Sequence, residues 1–133
     1  MIGPAHHIGI AVQHLDPAIA RYEAFGLTLD YVEPIPTAGV RVAFLKAGAV
    51  HLELVEPLDP GGAVARFLQK RGEGLHHVAF STPDIVPELA RLEAGGFELV
   101  DHVPRPGARG RLVAFLRPQT AHGVLIELVQ EPR

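Results

Sequence analysis

The sequence contains no cysteine at all. That absence excludes a disulfide framework, a thiolate nucleophile and a sulfur-ligated metal, and it leaves histidine and carboxylate as the strong ligands available. It also lacks an excess of either charge. With a formal net charge of -3 and 20% charged residues, there is no basic field of the kind nucleic acid demands, so a small-molecule partner is expected and nucleic acid is not. No apolar run approaches the roughly 18 residues of a membrane span, and Met1-Ile2-Gly3-Pro4 lacks the charged and apolar regions of a signal peptide. The expectation is a cytoplasmic protein with no membrane partner. What is present is apolar: 47% of 133 residues, enough for one domain to bury its own core.

The chain also repeats itself. An offset of 70, from His7 to His77, sets His6-His7-Ile8-Gly9-Ile10 on His76-His77-Val78-Ala79-Phe80. The same offset sets Pro17, Ala20, Arg21, Glu23, Ala24, Gly26 and Leu29 on Pro87, Ala90, Arg91, Glu93, Ala94, Gly96 and Leu99. After a small change of offset, Val42-Ala43-Phe44-Leu45 matches Val113-Ala114-Phe115-Leu116, and Leu52-Glu53-Leu54-Val55 matches Ile126-Glu127-Leu128-Val129. A period near half the chain points to two fused modules, not a solenoid.

Each module reads as strand, helix, then three strands. In the first, the strand covers residues 6 to 12, and a helix over 16 to 25 starts at Asp16 and stops at Gly26. Strands follow near 29 to 33, 40 to 46 and 50 to 56. Asp59-Pro60-Gly61-Gly62 is turn chemistry, and residues 63 to 71 suit a short linking helix. In the second, the helix covers 84 to 94, with strands near 97 to 103, 111 to 117 and 123 to 130. The reading is one α+β domain over 1–133: module one 5–57, linker helix 63–71, module two 75–131.

Residues two apart in a strand share a face. His7, Gly9 and Ala11 therefore oppose His6, Ile8, Ile10 and Val12, and His77, Ala79 and Ser81 oppose His76, Val78 and Phe80. The bulky face packs on the helix; the face with His7 or His77 is otherwise Gly, Ala and Ser, which leaves room for a cavity. The last strand of each module carries one acid in an apolar run, Glu53 or Glu127, and a buried carboxylate needs a cationic partner. A strand histidine taken alone is ordinarily a structural group. The matching His and Glu in both halves make His7, Glu53, His77 and Glu127 a candidate metal set, whose nitrogen and oxygen donors suit Co, Ni, Mn, Fe or Zn. His6 and His76, one residue out of phase, face the helices or the sheet edge. His51 shares the face of Glu53 and is a candidate substrate contact or a plain polar lining residue. His14, His102 and His122 receive no role.

With these residues in hand, the sequence resembles the vicinal-oxygen-chelate superfamily of glyoxalase I, extradiol dioxygenases, antibiotic-resistance binding proteins and methylmalonyl-CoA epimerases. The bacterial epimerase family is similar nearly end to end. The segments that carry this are residues 7–12 (His-Ile-Gly-Ile-Ala-Val), 53–58 (Glu-Leu-Val-Glu-Pro-Leu), 67–80, 104–108 (Pro-Arg-Pro-Gly-Ala) and 123–128 (Gly-Val-Leu-Ile-Glu-Leu). Each is weak alone; their order and spacing are specific.

The resemblance implies an eight-stranded, curved, mixed but mainly antiparallel sheet around a metal-site cleft. It implies a homodimer, a divalent ion (Co, Ni, Mn or Zn) on His7, Glu53, His77 and Glu127, and an acyl-CoA thioester substrate. The implied reaction is epimerisation of methylmalonyl-CoA at its α-carbon through a metal-stabilised enolate, with Glu127 and Glu53 as acid/base groups. Coenzyme A phosphates would find cations among Arg66, Lys70, Arg71, Arg105, Arg109, Arg111 and Arg117, the loop from Pro104 to Arg111 first. One departure stands out. The family carries an acid just before the Gly-Val that opens the third strand, and here Thr37-Ala38 precedes Gly39-Val40, with Glu33 a few residues earlier. Glyoxalase I fits the same ligand set, and a non-catalytic binding or resistance protein is a further alternative that usually lacks these ligands.

Overall fold

The computed structural model describes all 133 residues, and the chain divides into two compact units: residues 7–76, and residues 1–6 with 77–133. In the unit of residues 7–76, β1 (Ala5–Ala11) leads to α1 (Leu15–Phe25), β2 (Thr28–Ile35), β3 (Val40–Ala47), β4 (Val50–Pro57) and α2 (Ala63–Arg71). The strands lie in the order β2-β3-β4-β1, antiparallel from β2 to β4 and parallel where β1 meets β4. Leu15 and Ile19 of α1 pack on Ala43, Leu45 and Leu54, with Ile10 and Leu52 partly buried against them. The bulky strand face therefore does meet the helix, and the alternate residues turn the other way.

Two details depart from the expected start of α1 and course of β2. The helix begins at Leu15, not Asp16, and no side chain at His14 caps it. Instead Glu56, at the end of β4, accepts the Leu15 N–H at 2.7 Å, satisfying one of the orphan donors of the first turn. In β2 the pairing with β3 skips Asp30: Leu29 opposes Leu45, and Tyr31 opposes Phe44. This β-bulge adds one residue on the β2 side, so Tyr31 and Glu33 lie on the face of Phe44 and Val42, away from α1.

The other unit holds β5 (Gly74–Ser81), α3 (Ile85–Ala94), β6 (Arg105–Pro106), β7 (Leu112–Leu116) and β8 (Ile126–Gln130). Its strands run β5-β8-β7-β6, parallel at β5-β8 and antiparallel beyond. The first residues of the chain pair with β5, Gly3 N–H donating to Ser81 O at 2.7 Å and Ser81 N–H to Pro4 O at 2.9 Å. The eight strands thus belong to one mixed sheet. Ile85, Leu89 and Leu92 of α3 pack on Leu99, Ala114, Leu116 and Leu128. Gln130 repeats the part of Glu56, its side-chain oxygen accepting the Ile85 N–H at 2.8 Å.

The strand expected over 97 to 103 does not form. Leu99 makes an isolated bridge to Leu116, and the ladder resumes only at Arg105–Pro106. The cause is local. The Val100 and Asp101 amides both donate to Phe115 O, at 2.9 and 3.3 Å, while the Asp101 carboxylate accepts the Phe115 N–H at 2.9 Å in place of a backbone carbonyl. Pro104 and Pro106 then supply no donors. The final strand is also shorter than expected, starting at Ile126, because residues 118–121 form a 3-10 turn and His122 and Gly123 take left-handed φ values of 55° and 92°. No helix is long and apolar enough to cross a membrane.

Candidate metal centre

Alternation along β1 and β4 puts His7 and Glu53 on the face turned away from α1. His7 pairs in register with His51, and Glu53 lies between Gly9 of β1 and Phe44 of β3. Glycine at position 9 leaves the carboxylate room on one side. Phe44 walls it on the other, its ring meeting His7 edge-on at 5.2 Å. The His7 Nε2 stands 3.3 Å from Glu53 Oε1, with both side chains buried.

The second unit repeats this arrangement. Glu127 lies between Ala79 of β5 and Phe115 of β7. His77 meets Phe115 edge-on at 5.6 Å, and its Nε2 is 3.1 Å from Glu127 Oε1. One ligand atom from each of His7, Glu53, His77 and Glu127 can be chosen so that all lie within 4.8 Å of one another, and all four residues are buried. Two carboxylates that close repel unless a positive charge is shared between them. Two imidazole nitrogens and two carboxylate oxygens form a donor set that suits a divalent transition ion. This cluster could hold a metal ion.

The sequence pointed to these four residues but not to their aromatic neighbours. Phe44 and Phe115 are matched by the repeat, yet which strand brings them beside the acids depends on the antiparallel register. The remaining histidines are elsewhere. His6 Nε2 meets Glu131 Oε2 at 2.8 Å, and His76 packs edge-on against Phe67 of α2 at 4.8 Å. His102 is exposed, 3.6 Å from Glu93. His51 does lie on the ligand face, its Nε2 3.0 Å from Asp30 Oδ2. Thr37 is exposed in a 3-10 turn, and the acid that shares with Tyr31 the face turned toward the ligands by the β2 bulge is Glu33.

Several of the candidate cations are engaged within the chain. Arg66 donates to Gly61 O at 2.5 Å, Arg71 lies over the Phe67 ring, Arg105 pairs with Asp101 at 3.0 Å and lies over Phe115, and Arg111 pairs with Glu131 at 2.7 Å. Arg109 takes a left-handed φ of 57° within the loop after β6.

Residues 6–115 match the glyoxalase/bleomycin resistance protein/dioxygenase superfamily, and the chain belongs to it. Its relatives in that superfamily include methylmalonyl-CoA epimerases. It is 38% identical to the ethylmalonyl-CoA/methylmalonyl-CoA epimerase of Cereibacter sphaeroides over 98% of this chain and 99% of that one. The Streptomyces coelicolor methylmalonyl-CoA epimerase, solved as a variant in complex with 2-nitronate-propionyl-CoA, superposes with a TM-score of 0.95 at 38% identity, covering 98% of this chain and 96% of the other. The uncharacterized protein YqjC of Bacillus subtilis is 42% identical over 93% of this chain and 89% of its own length.

Proposed function

We propose that this chain is a metal-dependent epimerase that inverts the α-carbon of methylmalonyl-CoA. The observation that carries the proposal is the buried cluster of His7, Glu53, His77 and Glu127, in a chain with full-length relatives that are epimerases of that substrate. These four residues would hold the ion, which when bound supplies Lewis-acid stabilisation of the negative charge that develops on the substrate oxygens. Which of Co, Ni, Mn or Zn serves is part of what is to be tested.

The chemistry asks for a proton to leave one face of a planar carbon and return to the other. The α-proton lies between a thioester carbonyl and a carboxylate, so its loss gives a delocalised enolate. Carboxylates suit both steps, because their proton affinity is adjustable by burial and neighbours. Glu127 is assigned to one transfer and Glu53 to the other, since Thr37 offers no group that exchanges a proton near neutral pH. Phe44 and Phe115, packed against the two histidines, keep the imidazoles in place and keep bulk water from the acids. A homodimer is included in the proposal and is read by sedimentation.

The test is to strip the protein of metal, restore divalent ions one at a time, and follow epimerisation of methylmalonyl-CoA alongside isomerisation of the glutathione–methylglyoxal hemithioacetal. Metal-dependent turnover of the first with none of the second is expected. Turnover of the hemithioacetal alone would make the protein a glyoxalase.

A further inference from the structure

The two halves match at the ligands but not around them. Two residues before Glu53 on the same face stands His51; two residues before Glu127 stands Leu125. A metal can be gripped by equivalent pairs. A thioester has two different ends, so residues that break the internal symmetry beside the ligands are where those ends would be told apart.

His51 is built to make a directed contact. It sits beside His7 in the parallel pairing of β1 with β4. Asp30, placed by the β2 bulge, holds its Nε2 at 3.0 Å. Phe44 meets its ring at 5.8 Å and 66°. Those contacts leave Nδ1 with no partner in the protein, on a side chain that is 27% exposed. A carboxylate accepts, so the nitrogen facing Asp30 carries the hydrogen, and in the tautomer this contact selects Nδ1 is the acceptor. The acyl end of a malonyl-type thioester offers only acceptors, its carbonyl and carboxylate oxygens. The coenzyme A arm offers amide N–H donors.

We propose that His51 is a substrate-binding residue whose Nδ1 accepts a hydrogen bond from an amide N–H of the thioester arm, with Asp30 as the positioning residue that fixes the tautomer. The inference deepens the epimerase reading, on which it rests for the identity of the thioester. It predicts which substrate part the residue senses.

The experiment compares methylmalonyl-CoA with the methylmalonyl S-propyl thioester, which has the same acyl group and no amide, at pH 8 for wild type, His51→Leu and His51→Asn. Leucine is the residue the second module carries at this place, and asparagine returns a polar atom near Nδ1. For His51→Leu, kcat/KM on the coenzyme A substrate is expected to fall about tenfold, mainly through KM. On the S-propyl thioester the loss is expected to be under about threefold, and His51→Asn to recover most of the loss on the full substrate. Equal losses on both thioesters, or none on either, overturn the proposal. Calorimetric binding of propionyl-CoA gives the same comparison without turnover. If wild type binds it, His51→Leu binds it about tenfold more weakly and neither epimerises anything, the arm contact stands and the epimerase reading falls.

Discussion

The Glu56 carboxylate closes the first turn of α1 by accepting the Leu15 N–H at 2.7 Å, across 41 residues of chain. Gln130 does the same for Ile85 in the other unit, across 45. Each cap ties the start of a helix to the end of the strand that carries a candidate ligand, three residues past Glu53 or Glu127. Glu56→Ala and Gln130→Ala should each cost about 1 kcal/mol of stability, read from urea unfolding midpoints. Variants indistinguishable from wild type would show that water replaces the caps without loss.

Glu127→Gln keeps the volume of the side chain and removes its ability to carry a proton. The fold, followed by circular dichroism, is expected to be intact. Exchange of the methylmalonyl-CoA α-proton with solvent deuterium should fall by about two to four orders of magnitude. Exchange near the wild-type rate would remove Glu127 from the mechanism. Glu53→Gln is expected to slow return of the proton on one face, so that exchange is retained better than inversion.

His7→Ala and His77→Ala each remove one nitrogen from the cluster. Added divalent ion should raise the thermal midpoint of the wild type, because it binds the folded chain in preference to the unfolded one. In either variant the apparent affinity should weaken by at least roughly tenfold, seen by metal titration followed with differential scanning fluorimetry. Equal responses in wild type and variants would place the ion elsewhere.

Glu88 is a buried acid with no part in the proposed chemistry. Hydrogen bonds from Arg91 and from the N-terminal ammonium, 3.0 Å away, hold its carboxyl below the ordinary value of 4.5 against the opposing effect of burial. A folded-state value below the unfolded one means a stabilising contribution that is complete above about pH 4.5 and fades as the pH falls through the folded value. Glu88→Gln should therefore lower the melting temperature at pH 7. The gap to wild type should narrow steadily below pH 4.5. A gap independent of pH would assign the effect to packing.

Much of the site was legible because its signals are local and repeated. One acid inside an apolar strand, and one histidine on a face of small residues, are conspicuous even singly, and their recurrence half a chain later made Glu53, Glu127, His7 and His77 stand out. The helix stop at Gly26 was equally readable. What escaped depends on partners far away in sequence. The cap on α1 comes from Glu56, so Asp16 looked like the natural start. The broken edge at residues 97 to 103 alternates well enough for a strand, and only the Asp101 carboxylate in the ladder position of a backbone carbonyl explains its failure. The placement of Tyr31, Glu33 and Asp30 rests on one skipped residue that periodicity alone does not reveal.

A codon lost at Asp30 would straighten β2 without reversing it. Leu29 already opposes Leu45 and Tyr31 already opposes Phe44, so the ladder that closes over the gap would keep Tyr31 and Glu33 on the side of the ligands. What would vanish is the carboxylate against the His51 ring, so one deletion would unfasten that imidazole and leave the rest of the wall standing.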